Sequence, residues 1–244
     1  MKVGSESNSV RQDWSVKRSL VRLNWDLETV VGRIDKKSYD QFWYHHSHDL
    51  HLTSLSNIQL AILFLEDRRF FVHRGFEFRA GARIIKRQVT GKKAGAISTL
   101  DQQLVRIHTR RYERTLRRKI REALLAFLLN SHRSKANILY AYMHDSYFGF
   151  KLEGCELTSR FLFSKPSIDM SDSEACFVAS LLARPLPKTV FRAIEIEKQF
   201  REITPEQIIK IGDLQGLTWA RRVSERYQYA LRMFPSIPSS LRIR

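Results

Sequence analysis

Apolar and polar positions first fall into a clear helical rhythm at Ser56. Ile58, Leu60, Ala61, Leu63, Phe64 and Leu65 form an apolar face behind Ser56 or Asn57 as N-cap, predicting a helix over 56–66 that ends near Glu66 and Asp67. A second helix is expected over Phe78–Val89. The stretch Thr90–Ile97, with Gly91, Gly95 and two lysines, reads as a flexible basic loop. Ser98–Ile107 is helical, with Ser98 or Thr99 near its start. Glu113–Leu129 is a long helix whose Leu116, Ile120, Ala123, Leu124, Phe127 and Leu128 predict one buried face. Ser134–Tyr147, Ser171–Ala183 and Thr204–Arg232 complete the helical stretches, and no hairpin signal stands out. The expected fold class is mainly α. Residues 1–55 read as mixed and polar, and the two prolines of Pro235–Ser240 end the ordered tail.

Composition narrows the classes. With 43% apolar residues and 15 Phe the chain has ample mass for a core, which excludes disorder as the main state. Two cysteines exclude a disulfide scaffold, and Cys155 and Cys176 read as free thiols. The charge is the unusual feature: 42 Lys and Arg against 25 Asp and Glu give +17. Such a surface seeks polyanions, whether nucleic acid, anionic lipid or diphosphate-bearing substrates. The longest apolar run, Ala123–Leu129, has seven residues. A membrane-spanning helix needs about 20. Met1–Arg18 has no apolar core, so no signal peptide is read. The expectation is a soluble chain, a peripheral one, or one whose anchor has been removed.

Candidate chemistry lies in a few segments. His45, His46, His48 and His51 cluster without a convincing ligand spacing, and read as a polar loop rather than a metal site. Glu66 and Asp67 end an apolar helix and are followed by His73 and Gly75. A carboxylate at the edge of an apolar patch suits proton transfer, but surface acids paired with Arg68, Arg69 and Arg74 would look the same. Arg118 and Glu122 are four residues apart and share a helix face with Lys119 nearby. That set suits phosphate binding, a salt-bridged helix face or, with eight Lys and Arg in residues 106–121, a nucleic-acid patch.

Read in order, the segments are not generic. Glu66-Asp67-x-x-Phe70-x-x-His73-x-Gly75-Phe76 precedes a Gly/Lys loop, then Ser98-Thr99-Leu100-Asp101-Gln102-Gln103-Leu104-Val105-Arg106. Arg118-Lys119-x-x-Glu122, Lys135-x-x-Ile138-Leu139-x-x-Tyr142, Phe163-x-Lys165 and Ser173-Glu174-Ala175 follow. This order and spacing resembles the family 51 glycosyltransferases, the peptidoglycan glycosyltransferase domains of bifunctional penicillin-binding proteins and monofunctional transglycosylases. The resemblance covers about 56–187, leaving 1–55 and 188–244 as N- and C-terminal extensions. Ile97 stands where the family has glycine, Asp101 where it has a hydroxyl residue, His144 where it has asparagine and Ser164 where it has glycine.

The resemblance implies a lysozyme-like, two-lobed, mainly helical fold, the smaller lobe including about residues 75–97. It implies polymerisation of lipid II, a disaccharide-pentapeptide on a polyprenyl diphosphate, onto a growing glycan strand with inversion at the anomeric carbon. Glu66 would be the general base, kept ionised by Arg68 or Arg69, and Glu122 the second catalytic glutamate. Arg118 and Lys119 would hold the diphosphate. Ser98, Thr99, Gln102, Gln103 and Lys135 would bind the donor, and Asp67, Arg68 and His73 would organise the first motif. No cofactor is required, with room for a divalent cation at the diphosphate. The expected partners are a membrane surface and other cell-wall synthesis proteins, not nucleic acid. The expected location is the periplasmic or outer face of a bacterial inner membrane. The alternative is a catalytically weak or inactive relative that binds lipid-linked glycan or scaffolds wall synthesis. A lysozyme-like hydrolase would explain the carboxylates but not Arg118 and Lys119.

Overall fold

The computed structural model describes residues 6–38, with side chains from 17 to 36, and residues 55–77, 98–200 and 202–237. Two helices are apolar on every side and form the centre. In α2 (Asn57–Glu66) the run from Ile58 to Phe64 is buried without a break. In α7 (Asp172–Leu181) the same holds from Ala175 to Leu181. A helix with no polar face must be enclosed by others. These two pack against each other. Both begin as their sequences require: Gln59 Oε1 accepts from the Ser56 amide at 2.9 Å, and Glu174 Oε2 accepts from the Ser171 amide at 2.8 Å.

Around this centre run α3 (Leu100–Thr109), α4 (Leu116–His132), α5 (Lys135–Asp145) and α6 (Cys155–Phe163). Then α8 (Lys188–Glu197), α9 (Pro205–Leu214) and α10 (Thr218–Met233) follow α7. The fold is mainly helical, as expected. Thr99, Thr115 and Ser134 cap α3, α4 and α5, each accepting from the amide three residues on at 3.2–3.3 Å. These caps set the starts, so α4 begins at Leu116 rather than Glu113.

Several expectations need correction. The polar-looking N-terminal segment contains α1, a 33-residue helix over Glu6–Ser38. Its core contacts are Leu23, Leu27, Val30, Val31 and Ile34, of which Leu23, Leu27, Val30 and Ile34 are spaced four, three and four apart. This narrow seam among charged residues packs on α3, α4 and α5. Val30 and Ile34 are fully buried, each worth roughly 1.5–3 kcal/mol relative to exposure. Ion pairs fasten the polar flanks: Arg121 to Asp26 at 2.8 Å, and Arg133 to Asp35.

Helix α5 stops at Asp145, and Tyr147 opens a two-stranded antiparallel ribbon, β1 (Tyr147–Gly149) with β2 (Leu152–Glu153). Strands this short offer no alternation to read. The stretch Thr204–Arg232 is two helices, broken at Gly216 with φ +66°. The buried face of α4 differs from the one its spacing predicts. Leu125, Ala126 and Leu129 face the core together with Glu122, whereas Leu116, Ile120 and Leu124 are 77%, 61% and 44% exposed. Helix α4 has two apolar faces, and spacing alone does not say which one the neighbours cover. The helix expected at Phe78–Val89, the loop to Ile97 and the histidine cluster lie outside the described residues.

Helices α1 and α10, from the segments read as extensions, pack on the same core as 56–187. Among the described residues no helix is long and apolar enough to cross a membrane.

Candidate active site

Glu66 is the last residue of α2, and its side chain is only 8% exposed. Its Oε2 accepts from Gln103 Nε2 at 3.0 Å, and its Oε1 accepts from Arg226 Nη2. Tyr142 fixes the orientation of the glutamine: its hydroxyl donates to Gln103 Oε1 at 2.9 Å, which turns the amide nitrogen toward Glu66. Burial pushes the Tyr142 phenol well above its ordinary range, so it stays a donor. Both oxygens of Glu66 therefore meet donors, the arrangement an ionised carboxylate accepts. The cation beside it is Arg226 on α10. Arg68 and Arg69, expected in that role, point elsewhere. Arg68 turns back after the helix end, donates to the Phe64 carbonyl and the Tyr229 hydroxyl, and lies 3.9 Å over the Phe64 ring. Arg69 pairs with Glu77. Arg68 thus joins α2 to α10 and does not join Asp67 and His73.

Asp67 and His73 tie the first motif to the start of α3. His73 Nδ1 accepts from the Gly75 amide at 3.1 Å, which leaves Nε2 to donate to Asp67 at 2.8 Å. Asp67 also accepts from the Leu100 amide at 3.0 Å, and Thr99 donates to the Gly75 carbonyl at 2.6 Å. Gly75, at φ +83°, lies so close to α4 that a Cβ there would sit 2.2 Å from the Ala126 carbonyl oxygen. Beneath this lies Asp101, fully buried. It accepts from Lys135 Nζ at 2.9 Å and Asn130 Nδ2 at 2.7 Å. Lys135 also sits 4.3 Å over the Phe70 ring, and burial lowers its pKa.

One carboxylate oxygen each of Asp67 and Asp101 and a ring nitrogen of His73 lie within 4.8 Å of one another, close enough to suggest a metal site. The donor set does not fit one. The histidine is committed at both nitrogens, and Asp101 is neutralised by Lys135. This is a structural brace.

Glu122 is the second acid, only 4% exposed. Its Oε1 accepts from Arg106 Nε at 2.6 Å; Oε2 accepts from Arg118 Nη1 at 2.9 Å and lies 3.4 Å from Lys119 Nζ. Ser98 Oγ accepts from Lys119 at 2.6 Å and Arg106 at 3.1 Å, and Gln102 Oε1 accepts from Lys119 at 3.0 Å. One carboxylate thus aligns three cations. Burial, more than any neighbouring charge, lowers the Lys119 pKa, and nearby Arg106 and Arg118 act in the same direction. Consecutive glutamines of α3 link the two acids: Gln103 holds Glu66, and Gln102 holds the lysine beside Glu122.

The site thus combines a helix-end carboxylate set as an acceptor with a cation cluster aligned by a second acid. Residues 38–207 fit the family described as transglycosylase. The chain belongs to the transglycosylase family. Among its relatives, penicillin-binding protein 1A of Clostridium tetani is 37% identical over 165 residues, 65% of this chain and 20% of that protein. Penicillin-binding protein 2D of Bacillus subtilis is 29% identical over 62% of this chain and 24% of its own length. The biosynthetic peptidoglycan transglycosylase of Haemophilus influenzae is 34% identical over 53% of each chain. The matches thus span between a fifth and about half of these relatives' lengths.

Within this transglycosylase chain, Ser98, Thr99, Gln102, Gln103, Arg118, Lys119, Glu122 and Lys135 all converge on the α3–α4–α5 side, with Glu66, Asp67 and His73 meeting them at α3. Arg106 belongs to the cluster and was visible in the second motif, where nothing assigned it a role. Arg226 carried no sequence signal, standing 160 residues from its partner. Two departures from the family pattern have local explanations. Asp101 is matched by Lys135 and Asn130. Ser164 ends α6 at φ +59°, where glycine would be unstrained, and accepts from Lys198 Nζ at 3.0 Å. His144 bonds its neighbour Asp145 at 3.0 Å, and Ile97 lies outside the described residues.

Proposed function

We propose that this chain is a peptidoglycan glycosyltransferase that polymerises a lipid-linked disaccharide-peptide, lipid II, into glycan strands. The observation that carries this reading is the pairing of Glu66, held as an acceptor by Gln103 and Arg226, with the Arg106, Arg118 and Lys119 cluster on Glu122. Glu66 accepts the proton of the acceptor sugar's 4-hydroxyl as that oxygen bonds to the donor's anomeric carbon from the face opposite the leaving group. The bond from that carbon to the diphosphate oxygen breaks, and its electron pair leaves on the diphosphate. The anomeric configuration inverts. Arg118 and Lys119 receive the growing negative charge, which a diphosphate needs more than a proton. Glu122 is enclosed by donors, so its role is to hold those cations in place rather than to move a proton itself.

No metal step is needed, because the cations supply the charge and the acids are already engaged. A lysozyme-like hydrolase would have little use for three cations around its second carboxylate. With a lipid-linked donor and a charge of +17, the reaction belongs at an anionic membrane surface, on the outer face of a bacterial inner membrane.

The test is polymerisation of labelled lipid II in detergent, comparing wild type with Glu66→Gln. Polymer from wild type and at least about a hundredfold less from the variant is expected, within the usual range for losing a general base. Lipid II bound without polymer by wild type would indicate the inactive, glycan-binding relative instead.

A further inference from the structure

We propose that the face shared by α1 and α4 docks on an anionic lipid bilayer, with a headgroup phosphate seated in an arginine-lined cavity between the two helices. This rests on the reading that the enzyme works at a membrane surface, and names where that surface is met. The cavity encloses about 260 Å³. Five arginines line it, Arg22 from α1 with Arg111, Arg117, Arg118 and Arg121, against a single acid, Glu113. Three of the five are engaged: Arg111 and Arg121 pair with Asp26, and Arg118 with Glu122. No ion pair joins Arg22 or Arg117 to an acid among the described residues, so the cavity keeps two uncompensated guanidiniums. Guanidiniums suit phosphate because their N–H groups match its oxygens in pairs.

The surroundings identify the source of the phosphate. On α1, Val21 and Trp25 are 70% and 68% exposed, one turn apart beside Arg22. On α4, the solvent-facing row Leu116, Ile120 and Leu124 runs beside Arg117. At 3.6 residues per turn each apolar row lies within about 100° of arc of its arginine. The two rows therefore flank a basic cavity. A soluble phosphate compound has no use for the apolar rows, and neither does nucleic acid. A bilayer satisfies both parts, with leucine, isoleucine and tryptophan entering the headgroup–acyl boundary and arginines meeting phosphates. The arginines also place the face next to the proposed diphosphate site, since Arg118 lines the cavity and holds Glu122. A lipid-anchored substrate would thus reach its cations from the docked side.

The test is vesicle sedimentation of the full chain. Wild type should bind vesicles of equal parts phosphatidylcholine and phosphatidylglycerol, and not phosphatidylcholine alone. The double variant Arg22→Gln/Arg117→Gln should bind the mixed vesicles about 30-fold more weakly, at roughly fivefold per basic residue near the surface. The control Arg221→Gln/Arg222→Gln removes the same charge from exposed positions on α10 and should stay within about twofold of wild type. Leu116→Ser/Ile120→Ser should also weaken binding, which a purely electrostatic contact would not require. Equal losses in the variant and its α10 control would overturn the proposal. So would pyrophosphate binding at Arg22 and Arg117, or duplex DNA binding there, by a wild type that ignores vesicles. Polymerisation in detergent separates the two readings. Arg22→Gln/Arg117→Gln should retain it, while a wild type inactive in detergent refutes the enzyme reading without touching the docking result.

Discussion

Arg226 of α10 donates to Glu66 at the end of α2, joining two helices 160 residues apart in sequence. Its Nε is buried and has no hydrogen-bond partner among the described residues. The guanidinium meets α2 through Nη2, which donates to the Glu66 carboxylate and the Leu65 carbonyl. Arg226→Ala should lower kcat for lipid II polymerisation by about 10- to 100-fold, less than the roughly 10²- to 10⁴-fold that general-base catalysis itself contributes. Arg226→Lys should recover part of the loss, and so should guanidinium added to Arg226→Ala. An alanine variant with wild-type kcat would show that the contact is only structural.

Glu122 should matter to stability as well as activity. Removing it leaves Arg106, Arg118 and Lys119 crowded around a site with no anion. Breaking a buried pair from one side costs about 3–5 kcal/mol, and the partial exposure of the three cations places Glu122→Gln toward the lower end. Urea denaturation should register that loss. Lys119→Ala, which leaves both arginines on Glu122, should cost little stability but raise KM for lipid II. Full stability in Glu122→Gln would mean the cations are solvated rather than braced.

Burial lowers the Lys119 pKa below that of an ordinary lysine. The free enzyme therefore loses the ammonium at a lower pH than usual, and diphosphate binding goes with it. The kcat/KM profile should decline on its alkaline side before an unperturbed lysine would titrate. In Lys119→Arg that decline should move to higher pH, because guanidinium stays charged. Superimposable profiles for the two proteins would dissociate Lys119 from the diphosphate.

Ser164 occupies a left-handed position at the end of α6. Glycine there should relieve backbone strain of roughly 1 kcal/mol, partly offset by losing the exposed bond to Lys198. Ser164→Gly is expected to raise the stability by a few tenths to about 1 kcal/mol in thermal unfolding, with activity unchanged. A lower Tm would mean the Lys198 contact outweighs the strain.

Local chemistry was readable wherever it depends on neighbours along the chain. The all-round apolar runs of α2 and α7, the caps Ser56, Thr99, Ser134 and Ser171, and the pairing of Arg118 with Glu122 one turn on all follow from short spacings. The ordered motifs likewise marked Glu66, Gln102, Gln103 and Lys119 as one constellation. Tertiary packing decided the rest, because it selects among options that spacing leaves equal. Helix α4 offers two apolar faces, and the positions of its neighbours made Leu125 and Leu129 core while leaving Leu116 and Ile120 in solvent. Either Arg68 or Arg69 would serve Glu66 from next door, yet the turn after α2 sends them away and α10 delivers Arg226. Asp101 looks like surplus charge in one dimension and becomes the buried partner of Lys135 in three. A carboxylate's role depends on which cation reaches it, and across 160 residues only the folded chain determines that.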